Sequence, residues 1–307
     1  MLPTRRSFLF AASLSALFPR NLMAAAPSPL PLWPGQPPGG GGPSGQIEIN
    51  DGGAVRHVAA PTLEIFRPDQ PNGIAVLVAA GGGYRRIENR NEALPAARWL
   101  NAQGITAFVL TYRLPGEGWT AGPLAPLQDA QRAIRLIRAG AGRFGIHADR
   151  IGVLGFSAGG HLLGLAATRS TFLSYDRVDA NDQISDRPDF AALIYPVITL
   201  KPPYDGTSSR RQMVGEHPEP ALSAEWSVET HVKANCPPVF LVQAKNDPVS
   251  DPQNTLIMQA ACEQAGIPVE LHQPDTGGHG FGMGRPGTDS ISWPKDFAAW
   301  LAKTISD

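Results

Sequence analysis

The feature that most constrains this chain is Gly155-Phe156-Ser157-Ala158-Gly159, set between an apolar run, Ile151–Gly155, and a stretch rich in Leu and Ala, Ala158–Thr168. The first has the length of a buried strand and the second that of a helix. A chain that turns from strand to helix around one residue brings its own backbone together on both sides of the turn. Side chains two positions before and after Ser157 would collide there, so glycines are required, and the serine must accept a strained backbone conformation. Such a turn lifts a serine hydroxyl to the C-terminal edge of a sheet, where open α/β sheets bind ligands. The helix N-terminus beside it adds positive potential for a developing anion.

The rest of the chain supplies the sheet that such a turn needs. Gln46–Asn50 and Thr62–Phe66 alternate as short strands and are expected to enter the sheet antiparallel. Gly73–Ala80, Ile105–Tyr112, Phe190–Leu200, Val239–Ala244 and Val269–Gln273 read as further strands. Helical spacing covers Glu92–Gln103, Leu124–Phe144, Pro252–Ala265 and Ser292–Ile305. Strands alternating with helices of ten or more residues predict a mostly parallel central sheet with helices on both faces. Two polar, irregular regions, Tyr175–Asp189 and Pro202–Lys233, are expected to shape a substrate site, as long loops after sheet strands commonly do.

The N-terminal residues stand apart. Thr4-Arg5-Arg6-Ser7-Phe8-Leu9 is a twin-arginine pattern, an apolar run follows to Phe18, and Ala24-Ala25-Ala26 offers a small-residue cleavage site. This predicts a twin-arginine export signal over 1–26 and a periplasmic or secreted protein. The apolar run is too short to span a bilayer, so no stable membrane insertion is expected after cleavage. Residues 27–45 are rich in Pro and Gly and predict an extended arm anchored by Trp33, ahead of one domain over 46–307. Formal charge is −1 for the whole chain. It falls to about −4 without 1–26, which argues against a nucleic-acid partner. Cys236 and Cys262 leave one disulfide open as a possibility.

A serine hydroxyl needs a base to act as a nucleophile at neutral pH. His279 lies in Gly277-Gly278-His279-Gly280-Phe281-Gly282, just past the last strand, where it can reach across the sheet edge. His272 sits within that strand and reads as a local hydrogen-bonding residue. An acid that orients the imidazole should follow the preceding strand, and Asp247 does so. Asp251 reads as the cap of the next helix, and Asp275 ends the last strand, beside the histidine loop rather than on the neighbouring strand. Gly82 and Gly83, after the strand ending at Ala80, can offer backbone N–H groups to an oxyanion together with Ala158. Tyr84 and Glu92 are weaker candidates for touching substrate, a capping role being the alternative for Glu92. His161 reads as structural, and Asp129 and Arg135 as polar contacts of a long helix. The histidines show no metal-ligand spacing, and no nucleotide-binding glycine motif follows a strand, so no metal or cofactor is expected.

Taken together these residues resemble bacterial exported α/β-hydrolases of the acetyl esterase and acetylxylan esterase type. The resemblance rests on Leu32-Trp33-Pro34-Gly35, Gly81-Gly82-Gly83-Tyr84, Ala97–Asn101, Thr111–Leu114, Pro126–Ala133, Gly155–His161, Leu193–Val197 and Gly277–Gly282. It implies the α/β-hydrolase fold and hydrolysis of short acyl esters, acetyl groups on xylan or xylo-oligosaccharides, without a metal. The triad positions fall on Ser157, Asp247 and His279. The chain departs from the pattern in two places: Ala80 stands where proline is frequent, and Lys245-Asn246 replaces a more acidic run before Asp247. Feruloyl or other carbohydrate esters are an alternative substrate class. A serine peptidase or a non-catalytic binding protein of the same fold are alternatives of another kind.

Overall fold

The computed structural model describes residues 29–306, so the export-signal reading lies outside the described residues. The strands are β1 (Leu30–Pro31), β2 (Glu48–Ile49), β3 (Val55–Arg56), β4 (Thr62–Phe66), β5 (Ala75–Ala79), β6 (Thr106–Thr111), β7 (Ile151–Phe156), β8 (Phe190–Ile194), β9 (Val239–Val242) and β10 (Val269–His272). Eight of them form one sheet in the order β1-β4-β6-β5-β7-β8-β9-β10. β1 and β4 pair antiparallel at one edge, β4 pairs antiparallel with β6, and every other pair is parallel. The helices are α1 (Ala93–Ala102), α2 (Leu124–Ala139), α3 (Ala141–Phe144), α4 (Ala158–Thr168), α5 (Ser208–Val214), α6 (Pro220–Glu225), α7 (Gln253–Gln264) and α8 (Trp293–Thr304).

Every residue of β5, β7, β8 and β9 is buried, which is why these strands are unbroken apolar runs rather than alternating ones. Helices cover both faces. α1 and α8 meet through Trp99 and Phe297, whose rings lie 6.0 Å apart. α2 packs on α4, and α7 packs on β9 and β10.

Several expectations from the sequence need correction. Gln46–Asn50 does not enter the sheet: only Glu48–Ile49 is extended, and it pairs with β3 in a separate hairpin. The edge position is taken instead by Leu30–Pro31 of the proline-rich arm. The helix read over Leu124–Phe144 breaks at Gly140, where an added Cβ would lie 2.4 Å from the Phe144 ring. The strand from Phe190 stops at Ile194 because Tyr195 turns to φ 38°. Cys236 and Cys262 are both buried and free, with burial pushing the Cys262 thiol up to about 12.

The Tyr175–Asp189 segment does not shape the cleft described below. Arginines three residues apart along α2 hold it down: Arg132 pairs with Asp179 and Asp182, Arg135 with Asp186, and Arg138 with Asp189. The spacing puts all three on one side of the helix.

Two buried polar clusters tie together segments that are distant in the chain. Trp33 anchors the arm by donating its indole N–H to Asp129 Oδ1 at 2.8 Å. Arg113, fully buried, pairs with the same carboxylate at 2.9 Å and reaches back to the Pro38 carbonyl. Burial pushes the Asp129 carboxyl up, and Arg113 and Trp33 oppose that shift. Asp129→Ala would leave a guanidinium buried without its counter-charge. It is expected to cost about 3–5 kcal/mol in denaturant unfolding, whereas an exposed carboxylate such as Asp275 should cost less than about 1 kcal/mol.

The second cluster is centred on His161, fully buried in the first turn of α4. Its Nε2 faces the Trp226 carbonyl at 2.7 Å, which can only accept, so Nε2 carries the proton and Nδ1 accepts from the Tyr84 hydroxyl at 2.9 Å. Burial lowers its pKa to about 4, and the bond to Trp226 opposes the shift. The folded imidazole stays neutral while the unfolded one protonates, so stability is lost as pH falls from about 6.5 towards 4. Between pH 7 and pH 4.5 the native chain should lose on the order of 2 kcal/mol more than His161→Gln, as read from urea unfolding at the two pH values.

Candidate active site

The turn after β7 has the backbone that the sequence demands. Ser157 adopts φ 51° and ψ −116°, outside the regions usual for a residue with a side chain. A Cβ on Gly155 would lie 2.4 Å from the Gly159 carbonyl oxygen, and one on Gly159 would lie 2.2 Å from that of Ala79. The turn is therefore open only to glycine at both flanks. It is locked further by the Ser157 N–H, which donates to the Ile194 carbonyl of β8 at 3.0 Å.

Two loops, at the C-terminal ends of the neighbouring strands β9 and β10, bring side chains to this serine. His279, from the glycine-rich loop after β10, places Nε2 2.9 Å from Ser157 Oγ. Its Nδ1 lies 2.7 Å from Oδ2 of Asp247, which follows β9. The Asp247 side chain is fully buried and His279 is 16% exposed. Nδ1–H donating to the carboxylate leaves the Nε2 lone pair facing the serine hydroxyl, the tautomer a general base requires. The carboxylate itself is held from three more directions. Oδ1 accepts from the Val249 and Ser250 N–H groups at 2.8 and 3.0 Å, and Oδ2 from Gln243 Nε2 at 2.7 Å.

The competing residues are occupied elsewhere. Asp251 accepts from the Gln253 N–H at the start of α7. Asp275 pairs on the surface with Lys245, and His272 bonds to Glu270 within its own strand.

The glycine loop after β5 closes the other side. Gly81 rests directly on the serine: a Cβ there would lie 2.7 Å from Ser157 Cβ. Its N–H is engaged by Glu92 Oε2 at 2.5 Å. The next two residues, Gly82 and Gly83, line the cleft with Ser157 and His279. Among the described residues, the N–H groups of Gly82, Gly83 and Ala158 donate to no protein acceptor. The N-terminus of α4 adds positive potential beside Ser157. Ser208 Oγ donates to the Gly83 carbonyl at 3.1 Å and so steadies the loop.

The cleft has a volume of about 410 Å³. Arg85, Arg86 and Asn91 line it with Thr207, Ser208 and Ser209, while Val197 and Val249 add apolar surface. Of the two irregular regions, only Pro202–Lys233 contributes to this wall. Tyr84, expected to touch substrate, does not: its side chain is fully buried and bonded to His161, because the backbone turns at φ 57°. Glu92 does reach the wall, but as a buried residue. It stands at the N-cap of α1 without capping it.

Sequence reasoning missed Tyr195, Gln243 and Ser250. Tyr195 packs edge-on against His279, ring centroids 5.0 Å apart, and bonds Glu92, 103 residues away in the chain. No local pattern marks a meeting of that kind. Gln243 was readable only as the end of a strand.

Comparison with known proteins agrees with this architecture. Residues 63–261 match the model of the BD-FAE family. The chain is 31% identical over 242 residues to an acetylxylan esterase of Xylanibacter ruminicola, covering 78% of this chain and 46% of that protein. It is 34% identical over 210 residues to endo-1,4-beta-xylanase B of Butyrivibrio fibrisolvens, covering 67% of this chain and 32% of that one. The chain thus spans less than half the length of these two relatives. Among solved structures, the acetyl ester-xyloside bifunctional hydrolase of Caldicellulosiruptor lactoaceticus superposes with a TM-score of 0.75 at 35% identity, covering 90% of this chain and 96% of that one. An esterase of Thermogutta terrifontis shares the fold at 23% identity and a TM-score of 0.66. The family match covers more than half of the sequence and the fold agrees with it: the chain belongs to the BD-FAE family and has the α/β-hydrolase fold of acetylxylan esterase-type proteins.

Proposed function

We propose that the chain is a carboxylic ester hydrolase that removes short acyl groups, acetyl foremost, from acetylated xylan or xylo-oligosaccharides, using Ser157, His279 and Asp247. The observation that carries this reading is the continuous line of hydrogen bonds from Ser157 Oγ through His279 to the buried Asp247 carboxylate. In the proposed reaction His279 Nε2 takes the serine proton as Oγ attacks the ester carbonyl, and Asp247 stabilises the imidazolium that forms. The carbonyl oxygen becomes an oxyanion that accepts from the N–H groups of Ala158 and of Gly82 or Gly83. Collapse of the tetrahedral intermediate breaks the ester C–O bond, and His279 returns the proton to the leaving alcohol. Water then attacks the acyl-serine, its proton passing to His279, and the acid departs as Ser157 recovers its hydroxyl.

The sugar side of the proposal is supported by the names of the relatives and by the polar residues around the cleft, which suit an alcohol rich in hydroxyl groups. The site of action we propose is the periplasm or the cell exterior, on the strength of the twin-arginine pattern at Arg5-Arg6. None of the described helices is long and apolar enough to cross a membrane.

Hydrolysis of 4-nitrophenyl acetate, butyrate and octanoate, with acetate release from acetylated xylan measured alongside, tests the reading. Acetate esters should be the best substrates and acetylxylan should release acetate. Ser157→Ala should lower kcat by about four to six orders of magnitude while melting like the native protein. Turnover of aromatic or long-chain esters alone would keep the hydrolase and reject the acetyl assignment, and a near-native rate for Ser157→Ala would reject the triad. In a second test, Gly83→Val would force a side chain onto a residue at φ 63° with Ser208 Cβ 2.8 Å away. It should lower kcat by about 100-fold or more through the displaced oxyanion donor, as seen in steady-state rates on 4-nitrophenyl acetate.

A further inference from the structure

Glu92 has no part in the proton transfers just described, yet it is a buried carboxylate directly behind the reacting serine. Burial pushes its pKa up to about 7, against the bonds from Gly81 and Tyr195 and the nearby His279, while Glu88 adds to the rise. Tyr112, also close, feels the same carboxylate. A charge that is costly to keep in this place calls for an account. Helix capping does not supply one, since Glu92 makes no cap hydrogen bond to α1.

The two carboxylate oxygens go to two different loops. Oε2 accepts the Gly81 N–H at 2.5 Å. Oε1 accepts the Tyr195 hydroxyl at 2.9 Å. The Tyr195 oxygen in turn accepts the Gly282 N–H at 3.1 Å, so the tyrosine proton is committed to Glu92. Gly81 begins the loop that presents Gly82 and Gly83, and Gly282 ends the loop that presents His279. The Tyr195 ring also packs against the rings of His279 and Phe281, with centroids 5.0 and 4.4 Å away.

We infer that Glu92 is a positioning residue that clamps the oxyanion loop to the histidine loop, through Gly81 on one side and through Tyr195 and Gly282 on the other, so that both face Ser157 in fixed register. The inference rests on the serine-hydrolase reading above. Both groups that meet Glu92 donate to it, and a carboxylate accepts from both. A glutamine of the same shape that keeps its carbonyl on Gly81 must point its NH₂ at the Tyr195 oxygen, which already accepts from Gly282, so the hydroxyl proton loses its acceptor and that half of the clamp weakens. The oxyanion donors and the base act in the transition state, so a loosened clamp should show in kcat rather than in KM.

The test uses the purified full chain and 4-nitrophenyl acetate, with Glu92→Gln, Tyr195→Phe and the double variant compared in kcat, KM and melting. Each single variant should lower kcat by about 10- to 100-fold. KM should stay within about twofold of native. The double variant should be little worse than the worse single one, because both changes open the same link. Should Glu92→Gln fail to fold, Tyr195→Phe alone reads out the clamp, since it removes one bond and keeps the ring. Ser157→Ala is run beside them. If Ser157→Ala is inactive while Glu92→Gln and Tyr195→Phe keep native kcat, the clamp is wrong and the hydrolase reading stands. A raised KM at native kcat would also overturn the inference, by making Glu92 a substrate contact. If Ser157→Ala itself keeps native turnover, the hydrolase reading fails first.

Discussion

The close approach of backbone around Ser157 is the constraint on which the site depends. Gly155 and Gly159 leave no room for a Cβ against each other's turn or against the Ala79 carbonyl. Their bareness lets α4 begin directly over the ends of β5 and β7. In that arrangement the glycine loop after β5 and Ser157 line one cleft. The cost is a serine held at φ 51°, a strain of about 1–3 kcal/mol that the surrounding packing must offset. β5, β7 and β8 are buried on both faces, and this rigid, dry support keeps the strained turn from relaxing.

Around this fixed point the polar groups are few and heavily bonded. Asp247 accepts four hydrogen bonds, one of them from His279, so its orientation does not depend on the histidine alone. Glu92 accepts from two loops and Asp129 from three groups on two segments. Each buried carboxylate sits where chain segments distant in sequence converge. That is where a buried charge is worth its desolvation, because removing one partner strands the others.

The sequence disclosed the fold through periodicity and the site through order along the chain. Apolar runs of strand length alternate with helices, and Ser157, Asp247 and His279 each follow a run of that kind, so their convergence at one sheet edge was legible. Local conformation was not. Tyr84 turns inward because its backbone takes a positive φ, which a Gly-Gly-Gly-Tyr string does not announce. The helix break at Gly140 depends on the Phe144 ring filling the space of a side chain. The Tyr175–Asp189 segment reads as a loop that shapes the substrate site because its anchors, Arg132, Arg135 and Arg138, lie on another element. Glu92 reads as a candidate substrate contact or a helix cap, and its bond to Tyr195, 103 residues further on, is hidden from both readings. In each case the deciding contact is tertiary, and short-range pattern carries no trace of it.

In the proposed mechanism Ser157 carries the acyl group between two half-reactions. Acid-quenching the enzyme during turnover of 4-nitrophenyl acetate and mapping the trapped protein by peptide mass spectrometry tests it most directly. One acetyl group is expected on the peptide that holds Ser157, located on that residue and lost when the quench follows substrate exhaustion. Sustained turnover with Ser157 unmodified, or an acetyl group on another residue that turns over at the catalytic rate, would contradict it.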